Sequence, residues 1–337
     1  MEEKILITGG AGFIGSKLAY DLHKKGHEVV VIDDLSGGYE DNLVEDGETF
    51  CRFINADIRS DEISKHFENA ACVFHLAAIS ALPVCQSNPE HAMSVNVAGT
   101  ANILEIARRN DVGRVVFAST SAVYEENSSF PCREADAISP HLMYSVSKQA
   151  AEQVCRGFAK TYGMDIVITR YYNVYGPHQD MKRKSPPFVG YVIKELLNKR
   201  RPVLHSNGEQ KRDYVYIDDV NELNYLCMRE KNASGKTFNV ASGRAHSVND
   251  IYNVIEGILH TGIKPIFRES AVFWDKYPEL YAGKYAIKSE CLAKEVNKFT
   301  LGSSDAAKDV LGWEAKMQIE EGLARTVAHA KKTLGSL

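Results

Sequence analysis

The residues of this chain best suited to chemistry are a hydroxyl-bearing strand end and a tyrosine–lysine pair that follows it. Ser119-Thr120-Ser121 closes an apolar run from Arg114, and Tyr144 and Lys148 stand four residues apart in a stretch that reads as a helix from about Met143 to Tyr162. Side chains four apart on a helix share a face, so the phenol and the ammonium project together. A free phenol ionises near pH ~10, too high for a base at neutral pH. A neighbouring positive charge favours the phenolate. A hydroxyl at Thr120 can hydrogen-bond the substrate oxygen and share its proton. Together they make a general acid/base for taking a proton from an alcohol while a hydride leaves its carbon. Taken alone, such a pair is also what an ordinary surface helix would carry, so its weight depends on the elements that position it.

The first of those elements is Lys4 to Gly15, KILITGGAGFIG. Ile5-Leu6-Ile7 reads as a buried strand, and glycines at 9, 12 and 15 open a helix. Gly9 permits the tight turn, Gly12 lets a pyrophosphate approach the backbone, and Gly15 lets helix and strand pack closely. The free N–H groups and dipole of the helix start then hold phosphates. A second strand, Glu28 to Ile32, ends in Asp33. An acid about 20 residues past the loop is where a carboxylate binds a ribose hydroxyl. An oxidised nicotinamide held by this loop would add its own positive charge beside Tyr144.

Further strands read at Thr49 to Asn55, Ala71 to His75, Arg114 to Ser119 and Asp165 to Arg170, with a long amphipathic helix from Met93 to Arg109. Six strands alternating with helices predict an α/β fold, a doubly wound parallel Rossmann-type sheet of about seven strands once Thr237 to Ala241 is added. Its ligands belong at the carboxyl ends of the strands. The small residues of His75-Leu76-Ala77-Ala78 suit a flat ligand lying on the backbone, or equally tight packing. Past Arg170 the rhythm changes, with helices expected at Phe188 to Asn198 and Val248 to Leu259. The expected division is a dinucleotide-binding domain, 1–172 plus about 214–244, and a smaller mixed α/β substrate domain, about 173–213 plus 245–337. Small-molecule sites favour such junctions.

With 337 residues, 44% hydrophobic and 25% charged, the chain has an ordinary globular composition. A net charge of −4 gives no basic surface for nucleic acid. Lys182-Arg183-Lys184 reads as a solvated loop, or as a run facing anionic phosphate. The start of the chain runs directly into a strand, and no apolar run has the length of a membrane span. A cytoplasmic, non-membrane protein is therefore expected. Cys51, Cys72, Cys85, Cys132, Cys155, Cys227 and Cys291 show neither paired nor metal-ligand spacing, which suits reduced thiols and no metal.

In order along the chain, these motifs resemble the extended short-chain dehydrogenase/reductase family, and within it the NAD-dependent nucleotide-sugar epimerases and dehydratases of UDP-glucose 4-epimerase kind. The resemblance runs from Thr8-Gly9-Gly10-Ala11-Gly12-Phe13-Ile14-Gly15 through His75 to Ala78, Thr120 and Tyr144/Lys148 to Tyr172-Asn173-Val174-Tyr175-Gly176-Pro177. It continues through Arg212-Asp213-Tyr214-Val215 with Asp218-Asp219-Val220 and ends at Leu311-Gly312-Trp313. It implies that Gly9, Gly12, Phe13, Ile14 and Gly15 hold the dinucleotide phosphates. Asp33 would take the adenosine ribose, favouring NAD over NADP, with Asp34, Leu35 and Ser36 alongside and Asp57 and Ile58 on adenine. Leu76, Ala77, Ala78, Asn96 and Ser119 would line the cofactor, with Tyr144 and Lys148, and Tyr171 near the nicotinamide. Ser80, Thr120, Ser121, Asn173, Pro187, Phe188, Val203, His205 and Arg212 match substrate positions, and Arg268 a further one. Of these, Arg212 suits two-point contact with a diphosphate, while His205 fits a packed loop histidine as well.

The reaction class turns on the two positions after Thr120. Dehydratase relatives carry Asp-Glu there and decarboxylating relatives a Glu at the second; here stand Ser121 and Ala122, as in simple 4-epimerases. Glu125 and Glu126 lie outside those positions and read as solvated loop. The expected activity is 4-epimerisation of a nucleotide-diphosphate sugar by transient C4 oxidation with retained NAD. The alternatives are a 4-dehydrogenase or 4-ketoreductase on an unusual sugar such as a heptose or uronic acid and, behind these, a 4,6-dehydratase or a non-catalytic NAD-binding protein. Three departures stand out: Glu125 where relatives have Gly, the Lys-Arg-Lys segment, and the long stretch Arg268 to Phe299. The resemblance also implies a homodimer, with helices of about 95–109 and 144–162 forming a four-helix bundle.

Overall fold

In the computed structural model, which describes residues 2–184 and 186–334, the apolar runs of the first half become strands that alternate sides. Ile5 and Ile7 enter one buried cluster with Val31, Phe74 and Val116, and Leu6 enters the opposite one with Val30, Val73 and Phe117. Both faces of each strand are covered, as in a parallel sheet wrapped by helices.

The strands are β1 (Lys4–Thr8), β2 (Glu28–Asp33), β3 (Arg52–Asn55), β4 (Ala70–His75), β5 (Arg114–Thr120), β6 (Ile166–Tyr171), β7 (Asn173–Tyr175), β8 (Val203–His205), β9 (Lys211–Tyr216), β10 (Thr237–Val240), β11 (Ala245–Ser247) and β12 (Ile266–Arg268). The central sheet has seven parallel strands in the order β10-β6-β5-β4-β1-β2-β3. The order reverses between β1 and β4, and the glycine turn opens there. Helices α1 (Phe13–Lys24), α2 (Thr100–Arg109) and α3 (Met143–Tyr162) follow β1, β4 and β5.

Two elements differ from the sequence reading. Glu48–Thr49 does not extend β3 but pairs antiparallel with Val44–Glu45. Asp46 and Gly47 both have positive φ, 53° and 87°, the geometry of a two-residue primed hairpin turn. The helix expected from Met93 is interrupted: Pro89–Met93 runs into a π-helical turn, Ser94–Gly99, before α2 begins. Gly99 packs so tightly there that an added Cβ would lie 2.6 Å from Ile58 Cδ1.

Beyond β6, a second core joins Tyr175, Tyr214 and Tyr216 to α4 (Phe188–Leu197), α6 (Val248–Leu259) and α8 (Ile319–Leu334). Between them α5 (Ile217–Arg229) packs on the central sheet through Val220, Leu223 and Cys227. The stretch after Arg268 folds around its own small cluster of Trp274, Tyr277, Leu280 and Leu292, closed by α7 (Ser289–Asn297) and touching Leu82. All seven cysteines are free thiols. Among the described residues no helix is long and apolar enough to cross a membrane, and no cluster of metal-ligating side chains occurs.

Candidate active site

The glycine turn is built by contact. Gly9 adopts φ +69°, and an added Cβ would lie 2.6 Å from Ala77 N, so β4's end is pressed against the turn. A Cβ on Gly15 would lie 2.3 Å from the Gly9 carbonyl oxygen, which fixes α1 against the strand. Around Gly12 the nearest such neighbour is that same carbonyl oxygen, at 3.3 Å. Gly12 is the N-cap of α1 and supplies no side-chain cap, so backbone N–H groups face outward there. A cradle crossed by glycines and headed by a helix N-terminus fits a dinucleotide's pyrophosphate.

Asp33 braces this cradle. Its carboxylate accepts hydrogen bonds from Ala11 N at 3.0 Å and Leu35 N at 2.8 Å. Burial raises its pKa, and those two amides oppose the shift. Asp34 accepts from Ser36 N at 2.9 Å, shaping the next turn. The Asp57 carboxylate lies against Arg59, at 3.0 Å from Nε, which lowers its pKa. Ile58 is buried against Gly99.

Of the predicted reacting groups, Thr120 ends β5, while Tyr144 and Lys148 stand in the first two turns of α3. Thr120, the last residue of β5, hydrogen-bonds Tyr144 of α3 and accepts from Ala122 N at 3.2 Å. Desolvation pushes the Tyr144 phenol up to about 12, while the Thr120 hydroxyl and the charge of Arg183 pull it down. Lys148 is buried one turn on, its Nζ 4.5 Å from the centre of the Phe117 ring. Asn96, on the π turn, donates to Ser147 Oγ at 2.9 Å and to Ile79 O at 3.0 Å, and accepts from Ile79 N at 2.8 Å. It thereby ties the Leu76–Ser80 loop to α3. His75 is held between Thr8 and Thr100, at 2.7 and 2.9 Å, and burial keeps it neutral with a pKa near 3.

Other expected residues make protein contacts of their own. Ser119 points away from Thr120 and donates to Glu152 Oε1 at 2.6 Å. Tyr171, paired in register with Thr120, donates to Asn224 of α5 at 2.8 Å. Arg212, expected at a diphosphate, donates through Nη2 to the carbonyls of Glu295 and Val296, at 3.1 and 2.9 Å, at the end of α7. Asn173 donates to Asp213 O at 2.9 Å. Pro187 is the N-cap of α4 and Phe188 its first residue. Val203 and His205 lie on β8, where His205 pairs in register with Arg268, so the structure brings these three together. Ser121 directly follows Thr120, and Ser80 lies on the loop after β4, exposed.

Comparison with known proteins agrees with this geometry. Residues 5–241 match the model of the NAD dependent epimerase/dehydratase family. The chain belongs to that family. It is 32% identical over 326 residues to a putative UDP-glucose 4-epimerase of Methanocaldococcus jannaschii, covering 96% of this chain and 97% of that protein. Among solved structures it resembles the UDP-glucose 4-epimerase of Thermotoga maritima, crystallised with UDP-glucose, with a TM-score of 0.86 at 30% identity, covering 98% of this chain and 99% of that one. It also resembles the UDP-glucuronic acid 4-epimerase of Bacillus cereus, in complex with UDP-glucuronic acid and NAD, at a TM-score of 0.82, 26% identity and 98% and 99% coverage. The family's cofactor is NAD, and the glycine cradle and Asp33 are the residues here that would hold it.

Two residues that sequence reasoning left in solvated loops reach the site of this family member. Arg183 is close enough to Tyr144 to bear on its charge, and it is flanked by Lys182 over the Tyr39 ring at 4.8 Å and Lys184 over the Tyr277 ring at 4.2 Å. Glu125 is buried, and its carboxylate accepts from the backbone of His141 and Leu142. For Glu125 the sequence signal was its departure from the family pattern; for Arg183 it was that and the basic run read as solvated loop or as facing anionic phosphate.

Lys148 carries a stability cost that can be measured. Desolvation lowers its pKa from 10.5 to about 8. Between those values the unfolded chain holds a proton that the folded one does not, so this contribution makes stability rise with pH. Below pH ~8 the buried charge destabilises the fold in full. Lys148→Met in the cofactor-free protein is therefore expected to gain about 2 kcal/mol in urea unfolding at neutral pH. The gain should shrink near pH ~10. A variant that is less stable at neutral pH would show that Lys148 is not a strained cation.

Proposed function

We propose that this protein is a nucleotide-sugar 4-epimerase acting on a UDP-linked sugar through a transient 4-keto intermediate. The observation that carries this reading is the state of the carboxylates beyond Thr120. Glu125 is engaged with backbone amides of 141–142 and Glu126 with Lys294, which leaves Ser121 and Ala122 as the positions beside the reacting oxygen. The loop thus provides no acid/base pair for expelling water, only a means of moving the proton of one alcohol.

NAD held by the glycine cradle and Asp33 would supply the hydride acceptor for oxidation at C4 and the donor for re-reduction from the other face. Tyr144, as phenolate, takes the 4-hydroxyl proton and later returns it. The Thr120 hydroxyl, already bonded to the phenol, orients the sugar oxygen toward it. Arg183 supplies positive charge that opposes the desolvation raising the phenol's pKa, and in this reading the ammonium of Lys148, one turn on, adds to it. Asn96 holds the Leu76–Ser80 loop, the expected floor under the nicotinamide, at a fixed distance from α3. The dinucleotide and substrate domains proposed from sequence meet around this group.

Incubation with a panel of UDP-glucose, UDP-N-acetylglucosamine and UDP-glucuronic acid, followed by NMR of the sugar, is expected to give a mixture of C4 epimers without added NAD. Reduced-nicotinamide absorbance should show no net change. A net rise that scales with added NAD would instead make the enzyme a 4-dehydrogenase. We also propose a homodimer through α2 and α3, whose outer faces carry Arg108 stacked on an exposed Tyr162. A monomer by light scattering removes that assignment.

A further inference from the structure

We propose that Glu125 is a positioning residue for Tyr144, and that Glu126, His141 and Lys294 connect it to α7. The inference rests on Tyr144 being the acid/base of the reaction proposed above.

The start of α3 has no cap of its own. Its N-cap is Leu142, whose side chain offers no acceptor, and its first turn holds no acidic residue. Helix starts leave free N–H groups that need partners. Here the partners come from elsewhere in the chain. Glu125 Oε2 accepts from His141 N at 2.7 Å and from Leu142 N at 3.0 Å, and Gln86 Oε1 accepts from Met143 N at 3.1 Å. Three consecutive amides ahead of Tyr144 are therefore each held by a side chain. A carboxylate at a helix N-terminus is also favoured by the helix dipole. Glu125 follows directly on the loop that carries Thr120, so one short segment fixes both the hydroxyl and the start of the helix bearing the phenol.

The same carboxylate opens a chain of polar contacts. His141 Nδ1 lies 3.3 Å from Glu125 Oε2 and 2.9 Å from Glu126 Oε1. Glu126 is ion-paired with Lys294 of α7, which holds its carboxyl below the usual range. The same C-terminal turn of α7 is capped by Arg212. The helix belongs to the segment whose Tyr277 packs under Lys184, next to the Arg183 that bears on Tyr144. Seating of α7 is thereby linked to the placement of the phenol.

The test uses the full-length, NAD-loaded protein with Glu125→Gly, Glu125→Gln and Lys294→Ala, reading amide hydrogen exchange at 141–146 and turnover per NAD-loaded molecule. Glu125→Gly is expected to speed exchange at those amides and lower kcat by about tenfold, the worth of one or two charge-assisted hydrogen bonds. KM and retained NAD should stay within about twofold, the signature of a group acting on the chemical step. Glu125→Gln keeps an acceptor and should restore most of the loss, which a stability effect alone would not explain. Lys294→Ala should cost about threefold alone and nothing more in the Glu125→Gly background, because the two share one path. Unchanged kcat in Glu125→Gly, or faster exchange spread evenly over the chain, overturns the positioning role. An additive loss in the double variant removes the link to α7. If the wild-type protein converts no nucleotide sugar, the reaction reading fails instead, and the exchange data still decide whether Glu125 holds the helix start.

Discussion

Tyr144→Phe is expected to lower kcat by about 10²–10⁴-fold while leaving substrate KM and retained NAD nearly unchanged. The substitution keeps the ring that packs at the start of α3 and removes only the oxygen bonded to Thr120. With that oxygen gone, no group of the trio can accept the 4-hydroxyl proton: Thr120 is a hydroxyl of ordinary basicity and Lys148 lies a turn further along the helix. Because burial pushes the phenol up to about 12, the active fraction of the wild-type enzyme depends on neighbouring positive charge. Its kcat should rise with pH on the side below the working pKa, and the variant should lose that limb. Steady-state assays across pH, normalised to bound NAD, measure both. A variant that epimerises at near the wild-type rate would end the mechanism proposed here.

The second large effect is on stability. Glu152→Ala is expected to cost about 3–5 kcal/mol, because it strands a buried guanidinium. Glu152 and Arg170 have side-chain exposures of 0% and 1%. The carboxylate takes Arg170 Nε and Nη2 at 2.9 and 2.8 Å, Ser119 Oγ at 2.6 Å and Arg156 Nη2 at 2.7 Å. Arg170 in turn donates to Tyr124 OH at 2.6 Å, and Tyr124 to Asn239 at 2.9 Å. The carboxyl ends of β5 and β6 and the middle of α3 thus share one ionic network, and the guanidinium gains favourable partners that raise its already high pKa. Urea unfolding of Glu152→Ala against Glu152→Gln reads the cost. A loss below about 1 kcal/mol would place the pair among ion pairs of surface strength.

Much of this was legible before any coordinates. The glycine turn, Asp33, Thr120, Tyr144 and Lys148 could be read because each belongs to a short local pattern, strand then turn then helix, that one stretch of sequence contains. The Asp46-Gly47 hairpin was missed although that dipeptide favours a primed turn, because the apolar run around Phe50 and Phe53 drew the strand boundary earlier. Strand alternation would also have separated Ser119 from Thr120, since neighbours on a strand face opposite ways. The harder cases were long-range. Glu125 finds its amide partners sixteen and seventeen residues later, and Arg212 finds carbonyls more than eighty residues on. No periodicity records such pairings. Lys182-Arg183-Lys184 stood out as a basic run, but nothing in that run signals that Arg183 bears on Tyr144, well before it in the chain.

The bracing of the glycine turn by Asp33 has an evolutionary side. Coenzyme preference in such sites is commonly altered by replacing the acid that meets the ribose, so that a phosphate can enter. In this chain Asp33, the acid proposed for that role, also accepts the amides of Ala11 and Leu35, so on that proposal removing it would loosen the glycine turn as well. A lineage moving toward the phosphorylated coenzyme would need a second substitution to re-anchor those amides first. The order of mutations is thereby constrained by two hydrogen bonds.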